Sequence, residues 1–344
     1  MPTPDPLSER ELRVLEAVVH TYIETAEPAG SQTIARRFGL GVSPATIRSI
    51  MSELEDKGYL FHPHTSAGRI PTDRAYRMYV DAIMRLSPPS HEEQHTLRAE
   101  LMGTRNAVEE VLRRAAQVLG VLTQELGVAV APALDQMVLE RLELVQVTPE
   151  RLLLVFNLRS GVVRTIFVEV PGLVPPSSVQ QVSQILNQRL GGLTLQEIRN
   201  TLPERLRDAG TEGGRELLNI FIAEGDGLFD LSNEDSTVVL GSAQMLADQP
   251  EFASNSRMRD LLRLTEGRDL LKQALASRRQ RGLSITIGGE NLDTRLSDFT
   301  LVTSSYEAGG LKGVIGVMGP TRMPYDKIIG LVEHTSRLVE GLLE

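Results

Sequence analysis

"SPATIRSIMSELEDKGYLFHPHTSAGRIPT", residues 43–72, contains in one run a helix and the signals for a short hairpin. Ser43 stands at an N-cap position, Pro44 at the first helical position and Gly58 just past the end. Within this helix Ile47, Ile50, Met51 and Leu54 fall on one face, the pattern of a stripe that packs inward. Half a revolution away lie Ala45, Arg48, Ser49 and Ser52. Small and hydroxyl side chains permit close approach to base edges, and an arginine grips guanine through two donors. Amides at Ser43–Thr46, at a helix N-terminus, suit a phosphate. After Gly58, Tyr59-Leu60-Phe61 is expected to pair with a return strand at Arg69-Ile70, with residues 62–68 as the turn.

Outward from this run, the first 86 residues read as four helices with sharp punctuation. "LSERELRVLEAVVHTYIETAE" opens with Ser8 and Glu11 in capping-box spacing and ends before Pro28 and Gly30. "SQTIARRFGL" is a short second helix with Ser31 as the expected N-cap and Gly39 as terminator. "TDRAYRMYVDAIMRL", capped by Thr72, is the fourth. A turn containing Gly41 joins the second and third helices, the helix-turn-helix arrangement that lays its second helix in the DNA major groove. A small-tipped hairpin behind such a pair is placed as a wing. The expected DNA-contacting set is Ser43, Ala45, Thr46, Arg48, Ser49, Ser52, His62, His64, Ser66 and Arg69. The plainer alternative is a hairpin in a helical protein-interaction module.

Charge distribution agrees with a DNA face even though the sum does not. The 344-residue chain carries a formal net charge of −9. Residues 31–86, however, hold seven Arg and one Lys against five acidic residues, a local +3. Such a basic surface on an acidic protein suits docking of one side on phosphate. The chain has no cysteine, which removes disulfides, thiolate nucleophiles and cysteine-based metal sites. No run approaches the length of an apolar membrane span. The N-terminal "MPTPDPLSERELRV" has no secretory pattern, so a cytoplasmic location is expected.

"SPPS" at 87–90 is the clearest linker. A long helical stretch is expected from about Glu92 to Gly127. "MVLERLELVQV", "RLLLVFNL" and "VVRTIFVEV" then read as a β-meander. Residues 172–280 are mainly helical, with one candidate strand at "STVVLG". Strand character returns in "LSITIGG", "FTLVTSSY" and "KGVIGVMG", followed by a C-terminal helix. This order fits an α+β domain interrupted by a helical insertion.

Some motifs invite enzymatic or ligand readings. "HEEQH" at 91–95 matches the zincin pattern, with His91 and His95 on one helix face and Glu92 beside them. It sits in a polar helix start with no third ligand singled out, which favours a solvated helix end over a zinc hydrolase. His62 and His64 lack a carboxylate cluster, so a metal there is not expected. "IGGEN" at 287–291 and "GPTRMPY" at 319–325 look like turn chemistry more than ligand sites. No nucleotide phosphate loop is present. The expectation is a non-enzyme without cofactor or metal.

"SPATIRSIMSELEDKGYLFHPHTSAGRIPTDRAYRMYV" closely resembles the signature of the heat-inducible transcription repressor HrcA family. "GGENLDTRLSDFTLVTSSYEAGGLKGVIGVMGPTRMPYDKII" resembles that family's second hallmark, and in the first stretch Ser49, after "ATIR", stands where the family commonly has Asn. The resemblance implies a multidomain α+β chain. On that resemblance it would have a winged helix-turn-helix domain at 1–86, a GAF-like domain at 91–171 and 251–344, and an inserted, mainly helical dimerising domain at 172–250. It also implies a homodimer that represses chaperone operons by binding the inverted-repeat element called CIRCE in double-stranded DNA. The chaperonin GroEL is implied as the partner that supports the active form. The alternative is a winged-helix regulator switched by a small-molecule ligand of its GAF-like domain.

Overall fold

The structure, a computed structural model, describes residues 7–63, 68–102, 108–132, 136–159, 163–209, 214–229, 238–308 and 311–343. The chain is a multidomain mixture of helix and sheet in two compact units. One comprises Met1–Ala129, Val238–Ser305 and Val314–Val339, and the other Val130–Thr237, Tyr306–Gly313 and Glu340–Glu344.

In the first unit, α1 (Glu9–Thr25) is capped as its sequence predicts. The Ser8 side chain accepts from the Glu11 amide while Glu11 reaches back to the Ser8 amide. Glu11 also accepts from Lys57 Nζ at 2.6 Å, and this contact holds its buried carboxyl below the usual range against desolvation. α2 (Ser31–Phe38) starts one residue early: Gly30 is the cap and Ser31 the first helical residue. Left-handed Gly39 and Gly41 then turn the chain into α3 (Pro44–Asp56), with Ser43 as its N-cap. Ile47, Ile50, Met51 and Leu54 are all buried, as their spacing demands. β1 (Leu60–Phe61) and β2 (Ile70–Pro71) form an antiparallel ribbon. The return strand lies one residue later than the expected Arg69-Ile70: Phe61 faces Ile70 and Leu60 faces Pro71. Arg69 instead bridges to Ala29, exchanging two 2.9 Å backbone hydrogen bonds with it. Thr72 caps α4 (Asp73–Met78), which runs into a π-helical turn at Tyr79–Ile83.

α5 (His91–Met102) and α6 (Val108–Thr123) follow the linker. The helical reading to Gly127 is corrected here, because Leu126–Val130 is a strand, β3. Gln124 takes a left-handed conformation that breaks the helix, and all five residues of β3 are buried. A short apolar run carries no period that tells strand from helix. Gly127 permits α6 to lie against this strand, since a Cβ there would sit 1.8 Å from the Ala116 carbonyl oxygen. After β7 (Val238–Leu240) come α10 (Gln244–Ala247), α11 (Asn255–Glu266) and α12 (Arg268–Ala276). β8 (Ser284–Ile287), β9 (Phe299–Ala308), β10 (Leu311–Pro320) and α13 (Tyr325–Leu343) complete the fold. The element before α10 sits at one sheet edge, and the five-stranded order is β7-β3-β10-β9-β8.

Glu125, just before β3, is buried with one oxygen 3.0 Å from Gln249 Nε2. Desolvation raises its carboxyl well above the usual range, and the Gln249 hydrogen bond only partly opposes this. Unfolded, the group ionises near its ordinary value, so its contribution to stability falls as pH climbs above about 4.5. Glu125→Gln keeps the shape and removes the titration. The melting temperature of the variant, relative to the parent, should therefore rise between about pH 5 and pH 8. A difference independent of pH would show that the folded carboxyl is already ionised.

The second unit joins a meander, β4 (Leu139–Thr148), β5 (Arg151–Leu158) and β6 (Val163–Glu169), to three helices, α7 (Pro176–Leu190), α8 (Leu195–Leu206) and α9 (Arg215–Leu228). The edge expected at residue 172 falls inside this unit, because the meander and the helices share one core. Leu152, Leu154, Phe156 and Leu158 point alternately inward against Val182, Leu186, Ile198 and Phe221. Asn187 of α7 locks the sheet to the helices: its side chain accepts from the Leu142 amide and donates to the Leu142 carbonyl.

Candidate nucleic-acid interface

α3 presents the face that its sequence predicts. Ser43, Ala45, Thr46, Arg48, Ser49 and Ser52 are all exposed, opposite the buried stripe. Arg48 has neither a hydrogen bond nor an ion pair among the described residues, so its guanidinium is free to reach outward. The first turn offers a phosphate less than expected. Pro44 has no N–H, and the Thr46 amide already donates to Ser43 Oγ at 3.2 Å. The Ser43 and Ala45 amides remain. Ser49 leans toward Glu53 at 3.4 Å, an acidic neighbour on the same exposed side. Sequence reading passed over Arg36, which stands exposed in the last turn of α2.

The ribbon is held against α3 by charge. Arg69 Nη2 lies 2.8 Å from Glu55 of α3, and its Nη1 meets the His62 ring. With only 15% of its side chain exposed, Arg69 braces the ribbon instead of reaching outward. His62 is exposed near Glu55. His64 and Ser66 lie outside the described residues. Arg74 fixes the entry to β1, stacking 4.4 Å over the Tyr59 ring and donating to the Lys57 carbonyl at 2.7 Å.

The two glycine-containing motifs are more than bare turns. They fasten the N-terminal helices to the sheet of the same unit. Arg77 on α4 makes a two-pronged ion pair with Glu290 and donates to the Ile285 carbonyl at 2.9 Å. Desolvation raises the Glu290 carboxyl, but Arg77 and the Ile287 amide more than offset it and hold it below the usual range. One turn earlier, Asp73 accepts from the Gly289 amide at 2.9 Å. Gly288 is left-handed, and a Cβ there would come within 2.1 Å of the Asp73 carboxylate. Arg322 pairs with Glu251 and donates to the Ile23 carbonyl at the end of α1 at 2.8 Å. Tyr76 and Tyr325 meet with ring centroids 5.8 Å apart. No local periodicity signals these pairings. In contrast, His91 and His95 are exposed, and no group of three or more potential ligands that could hold a metal occurs among the described residues.

The family model described as "HrcA protein C terminal domain" matches residues 109–329. The heat-inducible transcription repressor HrcA of Chlorobium phaeobacteroides (strain BS1) is 40% identical over 339 residues, 95% of this chain and 96% of that one. The protein of the same name from Prosthecochloris aestuarii (strain DSM 271 / SK 413) is 38% identical over 339 residues, 95% of each chain. A solved structure described as a hypothetical protein aligns over 98% of this chain and 99% of its own, with a TM-score of 0.61 at 23% identity, a likeness of fold. No helix among the described residues is long and apolar enough to cross a membrane. With relatives 38–40% identical over 95% of its length and residues 109–329 matching the family model, the chain belongs to the HrcA family of heat-inducible transcription repressors, which are regulators and not enzymes.

Proposed function

We propose that this protein represses heat-shock chaperone operons by binding a CIRCE-type inverted repeat as a homodimer. The carrying observation is the exposed row Ala45, Arg48, Ser49 and Ser52 on a helix whose opposite face is fully buried. On this reading residues 1–86 are a winged helix-turn-helix domain, α3 enters the major groove and the ribbon is the wing. The five-stranded sheet with its helices is the GAF-like part. Footprinting on the organism's own chaperonin promoter tests the reading directly. Protection must cover both arms of the repeat, and its absence at an intact repeat would refute the assignment.

The ribbon makes a separate prediction. Arg69→Ala removes the brace to Glu55 and should cost about 1 kcal/mol of stability. It should weaken specific and non-specific DNA alike, with the salt dependence unchanged. A salt slope flatter by about one would place Arg69 itself on a phosphate.

A two-fold operator asks for a two-fold protein. The dimer contact was expected in the helices of 172–250; we place it instead on the outer face of the meander that shares their core, as a surface for a second copy. Val145, Leu153 and Phe167 align across β4, β5 and β6, and Val147 and Val163 extend the apolar area. Phe167 is 52% exposed, with Arg151 stacked 4.4 Å over its ring. Release on stress, on this reading, comes from the protein's own folding equilibrium, with the chaperonin GroEL restoring the active form. A shift of about 1–2 kcal/mol in a marginally stable protein changes the active population several-fold. Mild heating should abolish operator binding, and GroEL with ATP should restore it better than cooling alone. Equal recovery without the chaperonin would exclude this route.

A further inference from the structure

We infer that a cleft beside the edge strand β8 binds a small organic anion, with Arg278 as its charge partner. The cleft has a volume of about 390 Å³ and lies between α12 and the segment that follows β8. Leu270 and Ala274 of α12 form one wall, and Leu292 and Leu296 face them. Arg278, in the turn after α12, lines it together with Arg281.

Arg278 is 5% exposed, yet no carboxylate pairs with it among the described residues. Its Nη1 has only long contacts of 3.4–3.5 Å, to the carbonyls of Ser284 and Leu301 and the hydroxyls of Ser284 and Thr303. Its Nη2 donates to the Thr286 hydroxyl. Neutral oxygens orient the guanidinium without cancelling its charge. The two acids on the cleft wall are already engaged, Glu290 by Arg77 and Asp293 by Arg295. Burial, with Arg281 adding a like charge, pulls the Arg278 pKa down to about 10. A buried cation without a counter-ion is a standing electrostatic deficit that an anion removes.

The remaining walls decide the class of anion. Apolar side chains on two sides suit a carboxylate or phosphate group attached to a compact hydrocarbon body, and the volume lies within the ordinary range for small-ligand sites. Leu292, 99% exposed at the rim, is available to cover that body. Glu290 is shared: it lines the cleft and also grips Arg77 of α4, directly after the ribbon. An occupant therefore touches the fastening of the N-terminal helices, and any effect on DNA must be matched by an equal effect of DNA on the anion. Only that last coupling rests on the repressor reading.

The test is calorimetric titration of the full-length protein with benzoate, hexanoate and inorganic phosphate, without DNA. At least one organic anion should bind saturably and more tightly than phosphate. Arg278→Met, checked for fold by circular dichroism, should weaken it roughly tenfold or more. Ala274→Phe fills the cleft while leaving the partners of Arg278 untouched, and should abolish binding; it decides the matter if the Met variant does not fold. No saturable binding of either organic anion, binding that survives Ala274→Phe, or phosphate binding as tightly would each overturn the inference. None of these outcomes bears on promoter footprinting, so the two readings fail separately.

Discussion

Arg48→Ala should weaken operator binding by about 1–3 kcal/mol, from several-fold to about a hundredfold, if the guanidinium reads a base. The melting temperature should hardly change, because Arg48 is exposed and has no partner to lose among the described residues. The structure separates this residue from its neighbours on the helix. Ile47 and Met51 are buried, and truncating them would lower stability by cavity formation, confounding any binding measurement. Arg69 is already committed to Glu55. Competition assays with operator and scrambled duplexes, at matched salt, check the assignment. A folded Arg48→Ala protein with unchanged affinity would remove Arg48 from the interface, and an equal loss on both duplexes would move it from a base to the backbone.

The second large effect is expected from Phe167→Glu. In a two-fold contact through the outer meander face each substitution acts twice, and a central aromatic typically contributes about 2–4 kcal/mol. The expected outcome is a monomer by sedimentation, with intact secondary structure because Phe167 is half exposed and outside the core. Operator affinity should fall by roughly a hundredfold or more, since each half-site is then bound alone. Thr165→Glu, one row away beside Val155, gives a graded control at the same face. A Phe167→Glu protein that remains a tight dimer would place the contact elsewhere in the chain.

Much of the candidate DNA-binding face is legible because its signals are local. Capping residues, glycines at left-handed turns and a four-residue apolar stripe act within a few residues of chain, so Ser43, Gly41 and Ile47–Leu54 marked α3 and, by subtraction, its exposed row. The first-turn phosphate site was overestimated because the same Ser43 that marks the cap also consumes the Thr46 amide. The return strand begins at Ile70 and not Arg69, because a two-residue strand holds too little pattern to fix its bounds.

By itself, the sequence determined the family, the four N-terminal helices, the meander and the strands of the last hundred residues. Each follows from a repeating pattern or from long matched motifs. The tertiary structure decided which elements share a core and what the unexplained motifs do. β3 is a strand because both its neighbours bury it, and the meander belongs with α7–α9 because its inward leucines have those helices to pack on. Arg77 and Glu290 lie 213 residues apart, and nothing at either site alone announces the other. Side-chain periodicity encodes which face of an element is buried; only the folded chain brings together the charges that decide what the element is fastened to.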